Sequence, residues 1–372
     1  MFAPVLYFGG MKPLFYLLIF LATAGGIPRA SAQSIADAAK AKAIEGVGLV
    51  DEGKLSEGIA SLNEAIRMEP ENYHWAYELG YAFYVQKDYK KAVAQYRKIV
   101  DTYPDADAQC YQMLGNAYDV GGDSAAALRS YREGLKKFPA SGMLLMEIGN
   151  MRFAREDYNA ALGYYEKGIA AEPSFASNYY RAAMLYLSSS EKVWGMIYGE
   201  TFMNMERNTE RTATMSKRLY DTYLKSIRII SDTSMSVDFT KNMVMSIDDV
   251  KGKDGKVKLP FAGMVYEPLI LLSVISVKTL DINSLSDMRS NFVKAYYDQH
   301  RDQEYPNLLF AYQKQLQSAG HLEAYNHWIL MKGDETAFTA WRNAHGTAWE
   351  KFVGWFGEHK MVVDKEHHLN RD

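Results

Sequence analysis

One cysteine in 372 residues, Cys110, leaves this chain without an internal disulfide framework and without a four-cysteine zinc site. Ten prolines exclude collagen-like and proline-rich character. A basic surplus is also missing. Forty-two Lys and Arg against 45 Asp and Glu give a formal charge of −3, so the counterion-release term that drives phosphate-backbone binding is absent, and nucleic acid is not an expected partner. Long hydrophobic runs are confined to the N-terminus. What the chain has instead is 48% hydrophobic residues with 27 tyrosines and 19 methionines, enough for a large core packed through big, adaptable side chains.

The N-terminus reads as an export signal. Lys12 precedes the apolar run Leu14 to Ala24, and Ala30-Ser31-Ala32 supplies the small-x-small pattern of a cleavage site. Residues 1–32 are therefore expected to be a signal peptide, with Met11 a better start than Met1 because its positive charge follows at once. Cleavage after Ala32 would leave 340 residues and take the formal charge from −3 to −5. The expected destination is the periplasm. Full secretion and a retained N-terminal anchor are the alternatives, and no stable membrane insertion is expected after cleavage.

The strongest internal pattern is a repeat. Gly46, Gly80, Gly115 and Gly149 recur at intervals of 34, 35 and 34 residues, and Pro70, Pro104, Pro139 and Pro173 follow each of them 24 residues later. Between each glycine and its proline the apolar spacing predicts two helices: Leu79 and Phe83 lie four apart on the first, Ala92 and Tyr96 four apart on the second. Small residues at Gly80 and Ala92 let the backbones approach while Phe83, Tyr89 and Tyr96 fill the space beside them. Asp88, Asp123 and Asp157 are placed to cap the second helix of three units. Each proline stops a helix.

These positions resemble the tetratricopeptide repeat family, most closely in the third unit through Tyr111, Leu114-Gly115, Tyr118, Ala127, Tyr131 and Pro139. The fourth unit departs at Arg152. A fifth begins with Tyr179, Ala183 and Tyr186 but has Gly199 and Arg207 where an aromatic and a proline are usual, so it reads as a degraded or capping repeat. The resemblance implies a mostly α fold: a helical-hairpin solenoid over residues 33–206, with four clear repeats and the fifth. It also implies a concave groove for a peptide or protein partner. By register the groove would be lined by His74, Tyr77, Tyr81 and Tyr84, then Gln109, Gln112, Asn116 and Asp119, then Met143, Met146, Asn150 and Phe153. This lining is rich in rings and amides with almost no charge. Its alternative is self-occlusion, in which Met143, Met146 and Phe153 are covered by the chain's own C-terminal half.

Residues 207–372 lose the register but keep hydrophobic periodicity, and are expected to form a mainly helical module. Glu210 to Ile230 reads as one long helix. A small β element is expected near 235–262, with Lys253-Asp254-Gly255-Lys256 as its hairpin turn rather than a calcium loop. Pro268 to Val277 reads as a buried helix or strand, followed by helices over 284–303, 307–318 and 321–331. Phe338, Trp341, His345, Trp349, Phe352, Phe356 and His359 would form one helical face of rings.

No His-Glu-x-x-His run, phosphate loop or Gly-x-Ser-x-Gly elbow occurs in the sequence, so no catalytic residue, metal site or cofactor is assigned. The leading reading is an exported, non-catalytic scaffold that binds a polypeptide in its groove. Two alternatives stay open: a hydrolase or transferase with a site around Glu323, Tyr325, His327 and Glu350, and a glycan-binding protein using Trp341, Trp349 and Trp355.

Overall fold

The computed structural model describes residues 29–231, 234–241, 260–275, 277–367 and 369. The expected leader lies outside these except for residues 29–32, and the expected hairpin turn at 253–256 lies outside them too. The chain divides into two compact units after Ala82.

The first unit holds α1 (Arg29–Asp51), α2 (Leu55–Met68) and most of α3 (Tyr73–Val85). Helices α1 and α2 form a hairpin whose backbones meet at glycine: a Cβ on Gly58 would stand 2.8 Å from the carbonyl oxygen of Gly46. Leu62 and Ala65, one and two turns further along α2, are fully buried on this seam.

The second unit continues the pattern in α4 (Tyr89–Thr102), α5 (Ala108–Val120), α6 (Ser124–Lys137), α7 (Gly142–Phe153), α8 (Tyr158–Ala171), α9 (Ala176–Leu187) and α10 (Lys192–Met205). These helices pair as α5 with α6, α7 with α8 and α9 with α10, and the pairs stack in sequence. The expected caps form. Asp88, Asp123 and Asp157 accept hydrogen bonds from the backbone N–H of Lys91, Ala126 and Ala160 at 3.2, 2.8 and 3.3 Å. The residue before each cap takes a left-handed backbone, with Lys87 at φ 65°, Gly122 at φ 93° and Glu156 at φ 60°. Glycine there is free of strain, while Lys and Glu carry a small cost that the repeat geometry imposes.

Beyond α10 the chain departs from the sequence expectation in four places. Helix α11 (Glu210–Ser226) stops four residues early, and Ile227–Ser231 is a strand, β1. It pairs antiparallel with β2 (Ser234–Val237), aligning Ile227 with Val237 and Ile229 with Met235. The β-branched residues Ile227, Ile229 and Ile230 favour the pleated conformation over another turn of helix. The sheet thus starts before the expected 235–262 window, most of which lies outside the described residues. The chain leaving β2 is tied down by Glu267, whose carboxylate accepts from the backbone N–H of Phe239 and Thr240 at 2.6 and 2.9 Å.

The apolar run from Pro268 is helical, in α12 (Glu267–Ser273), which follows a π-helical turn at Ala262–Tyr266. Leu269 and Ile270 are buried, whereas Leu272 and Ile275 are 52% and 66% exposed, so the run is only half in the core. The helix expected over 284–303 is broken by His300 at φ 56° into α13 (Ile282–Asp298) and α14 (Arg301–Glu304). Helices α15 (Leu308–Ser318) and α16 (Leu322–Leu330) stand close to expectation. The ring-rich terminal segment is two helices, α17 (Glu335–Ala344) and α18 (Gly346–Glu358), because the chain turns at His345. The face of rings therefore folds on itself, with Phe338 edge-on to Trp349 at 5.4 Å.

Residues on both sides of 206 share one apolar cluster, from Ala161 and Tyr165 through Tyr223 and Tyr325 to Leu369. The C-terminal helices are packed onto the last repeats and do not stand as a separate module. Among the described residues no helix is long and apolar enough to cross a membrane.

Candidate functional site

The first helix of each repeat presents the register positions read from the sequence. In the first unit they lie on α3, where His74 is exposed and Tyr77 and Tyr81 are half-buried. Glu78, two residues before the repeat glycine, is mostly buried near Asp51; desolvation, reinforced by that like charge, pushes its pKa up to about 7. Tyr84, on the last turn of α3 and in the second unit, is buried with its ring edge-on to Tyr89 at 5.6 Å. It belongs to the core and not to an open surface.

In the second unit α5 and α7 bring Gln112 and Asn150 together on Glu147, a residue not among the register positions, with Asn116 and Met146 on the same two helices. Gln112 Nε2 donates to one carboxylate oxygen of Glu147 at 2.6 Å and Asn150 Nδ2 to the other at 2.9 Å. Burial raises the Glu147 pKa, opposed by these two donations and by the charge of Arg181. The asparagines are also held from behind. Tyr131 and Tyr165, on the second helices, donate their hydroxyls to Oδ1 of Asn116 and Asn150 at 2.6 and 3.0 Å. The amides are therefore preorganised, with rotamers set by partners inside the fold.

The remaining positions are less alike. Gln109 and Asp119 are exposed, and Asp119 accepts from Ser124 Oγ at 2.6 Å. Met143 is half-buried, Met146 packs against the apolar cluster that contains Tyr165 and Tyr179, and Phe153 is 47% exposed with its ring against Tyr158. Among the described residues self-occlusion is seen at the end of the array, where α11 packs on α9. There Arg211 donates to Ser177 Oγ at 3.1 Å, at the register position equivalent to Gln109 and Met143.

The lining carries more charge than the sequence reading expected. Counting two residues back from the repeat glycine, or from Ala183 in the fifth unit, gives Glu78, Met113, Glu147 and Arg181. That spacing was the available signal for Glu147 and Arg181. The register groove positions lie one residue before it, at Tyr77, Gln112 and Met146, and three after it, at Tyr81, Asn116 and Asn150.

Of the residues named for the enzyme reading, Glu323 and His327 lie one turn apart on α16 and meet the same Trp341, while Tyr325 turns into the core and Glu350 lies exposed on α18. Tyr325 donates to Glu200 Oε1 at 2.9 Å, deep in the core. His327 stacks on Trp341 at 4.0 Å, and its Nδ1 and Nε2 stand 2.9 and 3.1 Å from the Glu323 carbonyl and the Asn283 side-chain amide. Glu323 accepts from Trp341 Nε1 at 2.9 Å, and Glu350 is exposed on α18. Of the rings named for glycan binding, Trp341 is buried between His327 and His345. Trp349 and Trp355 are half-buried, Trp355 stacked flat on His359 at 4.4 Å. Cys110 is buried, and desolvation raises its thiol far above the usual range, which keeps it an inert packing group. Among the described residues no three His, Cys, Asp or Glu side chains gather as metal ligands.

A second polar cluster lies wholly inside. Arg289 of α13 makes a forked pair with Glu200 of α10, Nη1 to Oε2 at 2.9 Å and Nη2 to Oε1 at 2.6 Å. Its Nε donates to Asn326 at 2.8 Å, while Gln313 Nε2 donates to Glu200 at 2.6 Å. The adjoining cavity measures about 20 Å³, room for about one water molecule and not for a substrate.

Residues 45–107 and 113–187 match the family model of the tetratricopeptide repeat. Among solved structures the chain is similar to pilF of Pseudomonas aeruginosa, with 18% identity, 51% of this chain and 86% of that one covered, and a TM-score of 0.41. It is similar to TTC0263, a thermophilic repeat protein of the same kind from Thermus thermophilus, with 16% identity, coverage of 50% and 100%, and a TM-score of 0.40. A tetratricopeptide repeat protein from Parabacteroides merdae ATCC 43184 shows 15% identity, coverage of 80% and 99%, and a TM-score of 0.38. No curated protein matches the sequence.

Proposed function

The chain is a tetratricopeptide repeat protein through residues 45–107 and 113–187, and from that premise we propose that it is a scaffold holding an extended polypeptide along α5, α7 and α9. The observation that carries this reading is the preorganised amide row. Asn116 Oδ1 and Asn150 Oδ1 are taken by tyrosines and Gln112 Nε2 by Glu147, so the groups turned outward are few and fixed. Fixed amide donors and acceptors suit the N–H and C=O groups of a peptide backbone, and ordering them before binding lowers the entropic cost of association. Catalysis has no comparable support. Of the candidate acids and bases of the C-terminal half, Tyr325, His327 and Glu323 are occupied by structural hydrogen bonds and Glu350 stands exposed on α18.

The test is in-cell cross-linking followed by affinity purification and mass spectrometry, comparing wild type with Gln112→Ala/Asn150→Ala and with a surface control, Lys217→Ala. Loss of a captured protein from the double variant alone, with an unchanged circular dichroism spectrum, supports the groove. An identical set from all three sinks it. Export forms a separate part of the proposal and rests on the Lys12, Leu14–Ala24 and Ala30-Ser31-Ala32 pattern. N-terminal sequencing of the purified chain checks it: a start at Gln33 is expected, and a start at Met1 or Met11 would refute cleavage.

A further inference from the structure

Where α10 of the last repeat meets α11, α13, α15 and the π-helical turn, the buried cluster of Glu200 and Arg289 leaves a cavity of about 20 Å³. Five polar side chains stand in its wall: Glu200, Tyr223, Tyr266, Arg289 and Gln313, none more than 4% exposed. The rest of the wall is apolar. A water molecule needs about 10–15 Å³ of such space and roughly two to four polar partners, whereas a cavity lined only by Leu, Ile and Phe stays dry. This cavity meets both conditions.

The hydrogen-bond inventory of these side chains is incomplete. Gln313 Nε2 is spent on Glu200 at 2.6 Å, but Gln313 Oε1 has no partner among the described residues. Donation to a carboxylate also settles which end of that amide is oxygen, since the flipped amide would set two acceptors against each other. Glu200 Oε1 accepts from Arg289, Gln313 and Tyr325, whereas Oε2 accepts from Arg289 Nη1 alone at 2.9 Å. Arg289 spends Nε on Asn326, Nη1 on Glu200 and Tyr223, and one N–H of Nη2 on Glu200, which leaves one of its five donors over. Two acceptor positions and one donor thus remain on side chains that wall a single cavity.

We propose that this cavity is the binding site of one structural water, which donates to Gln313 Oε1 and Glu200 Oε2 and accepts from Arg289 Nη2. A cation there would face the Arg289 guanidinium and an anion the Glu200 carboxylate, so the wall favours a neutral molecule with donors and acceptors of its own. Its partners come from three helices, α10, α13 and α15, and the water therefore joins the last repeat to the C-terminal half. It leaves only when those helices part. Its residence time follows the local opening of that joint.

Two measurements on the wild-type chain test it. A high-resolution crystal structure should show one density peak within about 3.2 Å of Gln313 Oε1 and of at least one of the other two atoms, the reach of a hydrogen bond. In solution, water-to-methyl cross-relaxation should reach Ile197, Ile270 and Leu309, which line the cavity and are only 1% exposed. Methyl protons do not exchange with solvent, and bulk water cannot touch these three. A cross-peak with the sign of a long-lived bound water therefore reports an occupant of the cavity.

Gln313→Met keeps the length of the side chain and removes its acceptor, so the methyl cross-peaks should vanish while the circular dichroism spectrum stays unchanged. Cross-peaks that persist in the folded variant would overturn Gln313 as the anchor and with it the assigned site. An empty cavity in the crystal together with silent methyls would overturn the proposal outright. Density with the anomalous signal of chloride would replace the water with an ion and overturn it too. Should Gln313→Met fail to fold, the two wild-type measurements decide alone.

Discussion

The hydroxyl of Tyr165 donates to Oδ1 of Asn150 at 3.0 Å, joining the second helix of one repeat to the inner face of its first. Asn150 then passes order outward by donating to Glu147. Core packing and groove chemistry are therefore one mechanical unit, and Tyr165→Phe separates them. The variant should lose about 1 kcal/mol of stability in urea unfolding, the net value of a typical hydrogen bond. It should also loosen the Asn150 side chain, seen as a changed amide resonance. Unaltered stability together with an unaltered Asn150 signal would show that the bond does not order the groove.

Gly115 is a point of close approach in the repeat array. A Cβ there would lie 2.1 Å from Cε1 of Tyr131, and one on Gly149 would lie 2.5 Å from Cε1 of Tyr165. Both rings are buried to within 2% and have nowhere to retreat. Gly115→Ala should therefore destabilise by about 2 kcal/mol through overpacking, despite alanine's better helix propensity. Gly163→Ala, on an open face of α8 with no atom in reach, serves as the control and should be neutral or slightly stabilising.

Glu200 and Arg289 form an ion pair whose side chains are only 5% and 4% exposed. Removing one partner strands the other charge in the core. Arg289→Met should cost about 3–5 kcal/mol, and Glu200→Gln/Arg289→Met less than the sum of its single changes, because the double variant buries no unpaired charge. Urea titration of the four proteins in one double-mutant cycle gives the answer, with strict additivity as the contrary result.

His327 makes stability depend on pH. Desolvation lowers its pKa below 6.5, helped by the nearby charge of His345 and opposed by the hydrogen bond to the Glu323 carbonyl and by the Glu323 and Asp287 carboxylates. Above about pH 6.5 the imidazole is neutral in both the folded and unfolded states, so it adds no pH dependence. As pH falls through 6.5 the unfolded chain takes up the proton first, and stability drops until the folded-state pKa is reached. Chemical denaturation between about pH 7.5 and about pH 5 should show this fall, reduced in His327→Gln. A His327→Gln slope matching wild type would assign the dependence elsewhere, with His321, also lowered by burial, the next residue to change.

The parts legible in the sequence are those governed by short-range rules. Glycine spacing and aspartate caps follow from helix geometry within about 35 residues, so the hairpins of 45–187 and the positions of Asn116 and Asn150 could be read directly. The arrest of α11 at Ser226 and the breaks at His300 and His345 were not legible, since each depends on which turn the surrounding packing accepts. Glu147 was visible only as a residue beside a groove position. Its role appears once α5 brings Gln112 across to it.

The repeat, its caps and the register of its inner helices follow from local steric and hydrogen-bonding preferences that each unit states for itself. Which polar groups meet is set by the packing of distant segments. Glu200 and Arg289 are 89 residues apart in the chain, and Arg211 reaches Ser177 across 34. The C-terminal helices joined the core of the last repeats because the apolar faces of α9 and α10 had to be covered, and no periodicity within one segment encodes which distant segment will cover them.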